Sequence, residues 1–302
     1  MASNAAPTVD DELVHEFSPL LRVYKSGRIE GLFVVPPIAP GIDPSTGVES
    51  KDVNLGIYSA RLYLPPSAAT TGAKLPVMVY IHGGAFVAES AKSPHYHRFL
   101  NDLASACPAL CVSVDYRLAP EHPLPAAYDD CLAALGWVLS AGDTWIVAHG
   151  DLSRVFVAGD SAGGNICHHL AIQPDAARLN GAVLIHPWFW GSEAVGEETR
   201  DPAERAHVAG LDRVMVCTAE GDFVRWRGRA YSEAVTAARG VGEHEVELLE
   251  TEGEEHVFYL FKPDCDKAKE MLHEIVALVN AAWPIATLMN LVMARMTMMH
   301  KI

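Results

Sequence analysis

Ser161 stands in Gly159-Asp160-Ser161-Ala162-Gly163-Gly164, where an apolar run from Val155 to Ala158 breaks and a second apolar stretch begins. A serine exposed on a sharp strand-to-helix turn has its neighbours crowded against the backbone, and small residues on both sides relieve that crowding. The following helix would aim unpaired N–H groups toward the hydroxyl. A serine hydroxyl becomes a competent nucleophile only when a base takes its proton and an acid orients that base. Of the histidines after Ser161, His168 and His169 fall on the next helix, His207 and His244 precede strands, His273 lies in a helix and His300 in the tail. His186 follows a strand, but it enters the apolar Pro187-Trp188-Phe189-Trp190 and precedes any acid placed past a strand end. His256 sits in a polar loop beyond the last expected strand, and Asp222 lies just past the strand before it. Ser161, Asp222 and His256 are therefore the expected nucleophile, acid and base.

Acyl transfer through such a serine also needs backbone donors where the oxyanion forms. His82-Gly83-Gly84-Ala85-Phe86 follows the first buried apolar run. Gly83 and Gly84 are the expected donors, with Ala162 from the serine turn and Ala85 as a further candidate. Ala85, Phe86 and Trp188 are expected to line the substrate pocket.

The elements that must hold these residues follow from hydrophobic patterning. Leu75 to Ile81 and Ala109 to Val114 are short apolar runs rich in β-formers, as expected of strands buried on both faces. Arg154 to Ala158, Gly181 to Ile185, Arg213 to Thr218 and Glu245 to Leu249 continue the series. Helices are expected over Tyr96 to Ala106, Ala127 to Leu139, Ala162 to Ile172, Phe223 to Ala238 and Lys267 to Ala282. Alternating strands and helices imply an α/β fold with a mostly parallel central sheet covered on both faces. Sites in such sheets lie at the C-terminal ends of the strands, where the glycine and histidine motifs fall. Val53 to Leu64 reads as a further strand. Val14, Phe17, Leu20 and Leu21 recur at helical spacing, predicting a short amphipathic helix within Asp11 to Leu21.

The chain has 302 residues, half of them hydrophobic, enough for one sizeable α/β core. Its formal charge of −15 argues against nucleic acid and anionic membranes as partners. Six cysteines without C-x-x-C spacing read as reduced thiols, neither a disulfide frame nor a zinc site. Met1-Ala2-Ser3-Asn4 leads into acidic sequence with no apolar core of a secretory signal, so the expected compartment is the cytoplasm. His168-His169 face different sides of a helix and make a poor metal pair.

The motifs HGGAF at 82–86, DYRLAPEHPLPAA at 115–127, GDSAGGN at 159–165, AEGD at 219–222 and EGEEHVF at 252–258 together resemble the hormone-sensitive-lipase-like branch of the α/β-hydrolases. More closely, the chain resembles plant carboxylesterases. Ser93-Pro94 with Tyr96 to Asn101 is similar to the subgroup that includes tuliposide-converting enzymes. A single α/β-hydrolase domain over 1–302 is expected, with a helical lid segment in 1–30, and the likeness itself covers about residues 11 to 282. It implies a serine carboxylester hydrolase for small or aryl esters, working through an acyl-enzyme with no cofactor and no metal. Tyr116-Arg117 and Glu121-His122 resemble ties that hold the oxyanion loop. Intramolecular transesterification and dehydration occur on the same scaffold, as does hormone binding in gibberellin receptors, which lack the histidine present here as His256.

Two departures stand out. Only Gly191 to Asp212 separates two strands where the family usually has a considerably longer segment walling the acyl pocket, so a shortened cap is expected. The likeness does not reach the apolar tail from Trp283 to Ile302, where Met289 to Met299 holds five of the nine methionines. Asn290 and Arg295 interrupt that tail before the length of a membrane span, about 20 residues. The two departures also raise a catalytically impaired variant as a reading.

Overall fold

The computed structural model describes residues 12–68, 72–173, 176, 178–189, 211, 213–239 and 245–281. In chain order the strands are β1 (Leu13–Phe17), β2 (Leu21–Tyr24), β3 (Ile29–Gly31), β4 (Glu49–Asn54), β5 (Ser59–Leu64), β6 (Leu75–Ile81), β7 (Leu110–Asp115), β8 (Gly150–Asp160), β9 (Gly181–Ile185), β10 (Arg213–Ala219) and β11 (Glu245–Thr251). The helices are α1 (Pro94–Ala106), α2 (Ala126–Leu139), α3 (Thr144–His149), α4 (Ala162–Ala171), α5 (Arg225–Arg239), α6 (Phe258–Phe261) and α7 (Asp266–Asn280).

Eight strands form one sheet in the order β11-β10-β9-β8-β6-β7-β5-β4. The pairs from β11 through β7 are parallel. β5 joins β7, and β4 joins β5, antiparallel. Side chains alternate across a strand, so each strand feeds two cores. Val77, Val79, Ile81, Val155 and Val157 pack with α2 and α4 on one face. Met78, Tyr80, Phe156 and Ala158 pack with α1, α6 and α7 on the other. All seven residues of β6 are buried, which is why its sequence is continuously apolar. Each fully buried large apolar side chain of this kind contributes about 1.5–3 kcal/mol. The sheet puts the ends of β6, β8, β9, β10 and β11 along one edge, where the site residues follow.

The helix expected within Asp11 to Leu21 is not what forms over the described residues from 12 onward, and residues 1–11 of the expected lid segment lie outside them. β1, β2 and β3 make a small antiparallel sheet, with Phe17 opposite Leu21. Pro19 is the reason: it has no N–H, its ring disfavours helical backbone at Ser18, and the flanking β-branched and aromatic residues pair as strands. Val53 to Leu64 is likewise two strands, because Gly56 turns the chain at φ 97° with its N–H donating to Asn54 Oδ1 at 2.7 Å. The six cysteines are free. None of the described helices is long and apolar enough to cross a membrane. The shortened cap, apart from Leu211, and the 283–302 tail lie outside the described residues.

Candidate active site

β8 ends at Asp160, and Ser161 turns the chain into α4 with φ 51° and ψ −116°, a conformation strained for a residue with a Cβ. Hydrogen bonds hold the turn from both sides. Ser161 N–H donates to Ile185 O at 2.9 Å, and Ser161 O accepts from Trp188 N–H at 3.0 Å. A Cβ on Gly163 would sit 2.0 Å from Ile81 O, and one on Gly159 would sit 2.6 Å from the same oxygen. The small residues around Ser161 are thus required by the closeness of β6.

His256 follows β11, and its Nε2 lies 3.0 Å from Ser161 Oγ. Its Nδ1 lies 2.9 Å from each oxygen of Asp222, so the proton belongs on Nδ1 and the Nε2 lone pair is free to accept from the serine hydroxyl. The Asp222 side chain is fully buried, and its Oδ1 also accepts from Val224 N–H at 2.9 Å. The loops carrying the acid and the base are tied together. Gly221 N–H donates to Glu254 O at 2.9 Å, Glu220 N–H to Thr251 O at 2.9 Å, and Gly253 N–H to Glu220 Oε2 at 2.8 Å.

The oxyanion loop is held by tyrosines. Tyr116 OH donates to His82 O at 2.9 Å, and its ring stacks on His82 at 4.2 Å, the kind of tie the sequence suggested for this residue. Tyr96 OH accepts from Gly83 N–H at 2.8 Å and donates to buried Asp160 Oδ2 at 2.8 Å. The amide of Gly83, one of the expected oxyanion donors, is thus already occupied by Tyr96 OH. Gly84 has φ 95°, and a Cβ there would lie 2.2 Å from Ala88 O, so glycine is obligatory at that position. Tyr96→Phe orphans both the Gly83 amide and an Asp160 oxygen, at about 1–3 kcal/mol for each group. The expected result is a lower melting temperature together with a roughly tenfold loss in kcat/KM as the loop drifts, checked by thermal melts and ester kinetics.

Burial pushes His82 and His186 from 6.5 down to about 4, against the pull of Asp115 on His82 and of Asp222 on His186. Burial, reinforced by His169, does the same to His168. Burial raises Asp160 to about 6 against hydrogen bonds from Tyr96 and Tyr80. Between pH 6.5 and about 4 the unfolded chain binds more protons on these histidines than the folded one, so stability falls with acidification. Asp160 acts oppositely: its contribution is present below its unfolded value of 3.8 and lost as pH rises through about 6. Three histidines outweigh one aspartate, with His82 and His186 worth up to on the order of 3 kcal/mol each. Melting temperature is expected to fall steadily from pH 6.5 to pH 4 in a buffer series.

Around the serine, Trp188 is half-buried and Phe86 is buried against Tyr128, ring centroids 5.7 Å apart. Ala85 follows Gly84 at φ 54°. Phe223, absent from the expected site residues, is 66% exposed with its ring 4.8 Å from that of His256, on the rim of the site. Its only sequence signal is adjacency to Asp222. His168 Nδ1 pairs with Tyr231 OH at 3.2 Å and takes no part in the site. His186, Asp222 and His256 bring possible metal ligand atoms within 4.8 Å of one another, but those of Asp222 and His256 are already paired in the Ser161 hydrogen-bond line.

Comparison with known proteins bears on the family and the fold. A family described as alpha/beta hydrolase fold matches residues 78–208. Tuliposide A-converting enzyme 2, chloroplastic, of Tulipa gesneriana is 40% identical over 317 residues, covering 90% of this chain and 80% of that protein. Probable carboxylesterase 2 of Arabidopsis thaliana is 38% identical over 304 residues, covering 88% and 96%. The solved structure of a thermophilic, thermostable carboxylesterase cloned from a metagenomic library has a TM-score of 0.65 at 28% identity, covering 82% of this chain and 92% of that one. With a mostly parallel sheet that carries its serine on a strained turn, and with relatives of this identity along nearly its whole length, the chain belongs to the plant carboxylesterases of the hormone-sensitive-lipase-like α/β-hydrolase family.

Proposed function

We propose that this carboxylesterase cleaves small or aryl esters with Ser161 as nucleophile, His256 as base and acid, and Asp222 as the orienting carboxylate. The observation that carries the assignment is the unbroken hydrogen-bond line from Asp222 through His256 to Ser161, at 2.9 and 3.0 Å. Ser161 Oγ attacks the ester carbonyl carbon while its proton passes to His256 Nε2, and Asp222 stabilises the imidazolium. The oxyanion meets the amides of Gly84, Ala85 and Ala162, each worth about 3 kcal/mol of transition-state stabilisation. Collapse breaks the C–O bond, and the alcohol leaves with the proton from Nε2. Water, deprotonated by the same nitrogen, then attacks the acyl-Ser161 ester and releases the acid. Ala85, Phe86 and Trp188 border the substrate in this proposal, with Phe223 at the rim.

Purified full-length protein is expected to turn over p-nitrophenyl acetate. Folded protein that neither hydrolyses short p-nitrophenyl esters nor takes up a fluorophosphonate would overturn the proposal. The 40% identity to a tuliposide A-converting enzyme favours testing a second outcome, capture of the acyl group by an alcohol instead of water. Product analysis with and without an added alcohol separates the two. The expected cytosolic location is part of the proposal, and relatives named chloroplastic make the plastid its alternative. A fluorescent fusion to the whole chain distinguishes them.

A further inference from the structure

In sequence His186 precedes any acid placed past a strand end and has apolar neighbours, yet it lies at the junction of the two loops that carry the acid and the base. It has no exposed surface. Its backbone N–H donates to Cys217 O at 2.8 Å, fixing it to β10, the strand that leads to Asp222. Its ring Nδ1 accepts from the N–H of Val257, the residue after His256, at 2.8 Å, and lies 3.2 Å from Asp222 Oδ2. His186 and Val257 both have φ 47°, so left-handed backbone is concentrated at both ends of this contact.

We infer that His186 is a positioning residue for the proposed triad, its unprotonated Nδ1 anchoring the Val257 amide so that the peptide following His256 aims the imidazole at Asp222 and Ser161. The inference rests on the triad reading above and deepens it. Imidazole Nδ1 has a single in-plane lone pair, so it can accept from Val257 only when the ring proton resides on Nε2. That Nε2 is buried with no hydrogen-bond partner among the described residues. The ring is enclosed by Asp222, His256 at 5.8 Å, Phe258 at 5.9 Å and Tyr259 at 6.4 Å between centroids. Burial, which pushes the imidazole down to about 4, keeps it neutral where esterases work. A proton on Nδ1 would take that lone pair from the Val257 amide. The new N–H would turn to Asp222 Oδ2 and compete with His256 for the same carboxylate.

A histidine that merely fills space would tolerate any residue of similar volume, and this distinguishes the two roles. In His186→Asn the amide oxygen can occupy the place of Nδ1. In His186→Gln the amide reaches the place of Nε2, and in His186→Leu there is no acceptor. With a short p-nitrophenyl ester, the Gln and Leu variants are expected to lose roughly 10²-fold in kcat with KM little changed, while Asn stays within about fivefold of wild type. The low-field proton resonance of the His256–Asp222 hydrogen bond should persist in wild type and Asn and be lost in Gln and Leu. Wild-type turnover that disappears in Ser161→Ala while His186→Gln and His186→Leu keep full kcat would remove the inference and leave the triad standing. Turnover that survives in Ser161→Ala would instead remove the triad reading. If the Gln and Leu variants fail to fold, nitrogen NMR of the wild-type enzyme at neutral pH decides: an Nε2–H tautomer at His186 is expected, and an Nδ1–H tautomer overturns the inference.

Discussion

Replacing Ser161 with alanine is expected to lower kcat for p-nitrophenyl acetate by about 10⁵- to 10⁶-fold while KM and melting temperature stay close to wild type. Alanine keeps the Cβ that the strained turn already accommodates at φ 51°, and the backbone bonds to Ile185 O and from Trp188 N–H do not involve the hydroxyl. What is lost is the atom 3.0 Å from His256 Nε2, and with it the acyl-enzyme. Residual rate over water would come from the Gly84, Ala85 and Ala162 amides, which the substitution leaves in place. A variant within tenfold of wild type in kcat would show that the ester is cleaved elsewhere or by another nucleophile.

Asp222→Asn is expected to cost about 10⁴-fold in kcat, although it changes one atom in a fully buried side chain. The neighbours of the carboxylate dictate how the amide must sit. Oδ1 accepts from Val224 N–H at 2.9 Å, so the amide oxygen is held there. The NH₂ then occupies the place of Oδ2, 2.9 Å from His256 Nδ1 and 3.2 Å from His186 Nδ1. The NH₂ can only donate to His256 Nδ1, which must then accept, and this drives the His256 proton to Nε2. In that tautomer His256 donates to Ser161 where it should receive, and the stabilising negative charge is gone as well. Kinetics at pH 7 with a burst assay for intact sites would measure the loss; retention of a tenth or more of wild-type kcat would contradict the role of Asp222.

The sheet was legible because strands buried on both faces must be apolar at every position, and Leu75 to Ile81 matches β6 residue for residue. Ser161, Asp222 and His256 were legible for a related reason: each follows a strand end, and residues at strand ends converge on one edge of the sheet. Local periodicity misled at the N-terminus. Val14, Phe17, Leu20 and Leu21 suit a helix, whereas Pro19 excludes one and the segment pairs as β1 and β2. The role of Gly83 was less legible, because a glycine motif locates a loop without saying which amide is free. The answer depends on Tyr96, which arrives from α1 and occupies that amide. His186, Asp160 and Phe223 take their meaning from contacts that tertiary closure creates. The Asp160 oxygens accept from Tyr80 and Tyr96, residues far from it in sequence, and no pattern around Asp160 names them.

The central claim is that Ser161 is a nucleophile activated by His256 and Asp222, and fluorophosphonate labelling followed by peptide mass mapping tests it most directly. One phosphonyl adduct per chain is predicted, on the peptide containing Ser161, absent in Ser161→Ala and formed far more slowly in His256→Gln. A folded wild-type protein that stays unlabelled, or an adduct on any other residue, would contradict the account.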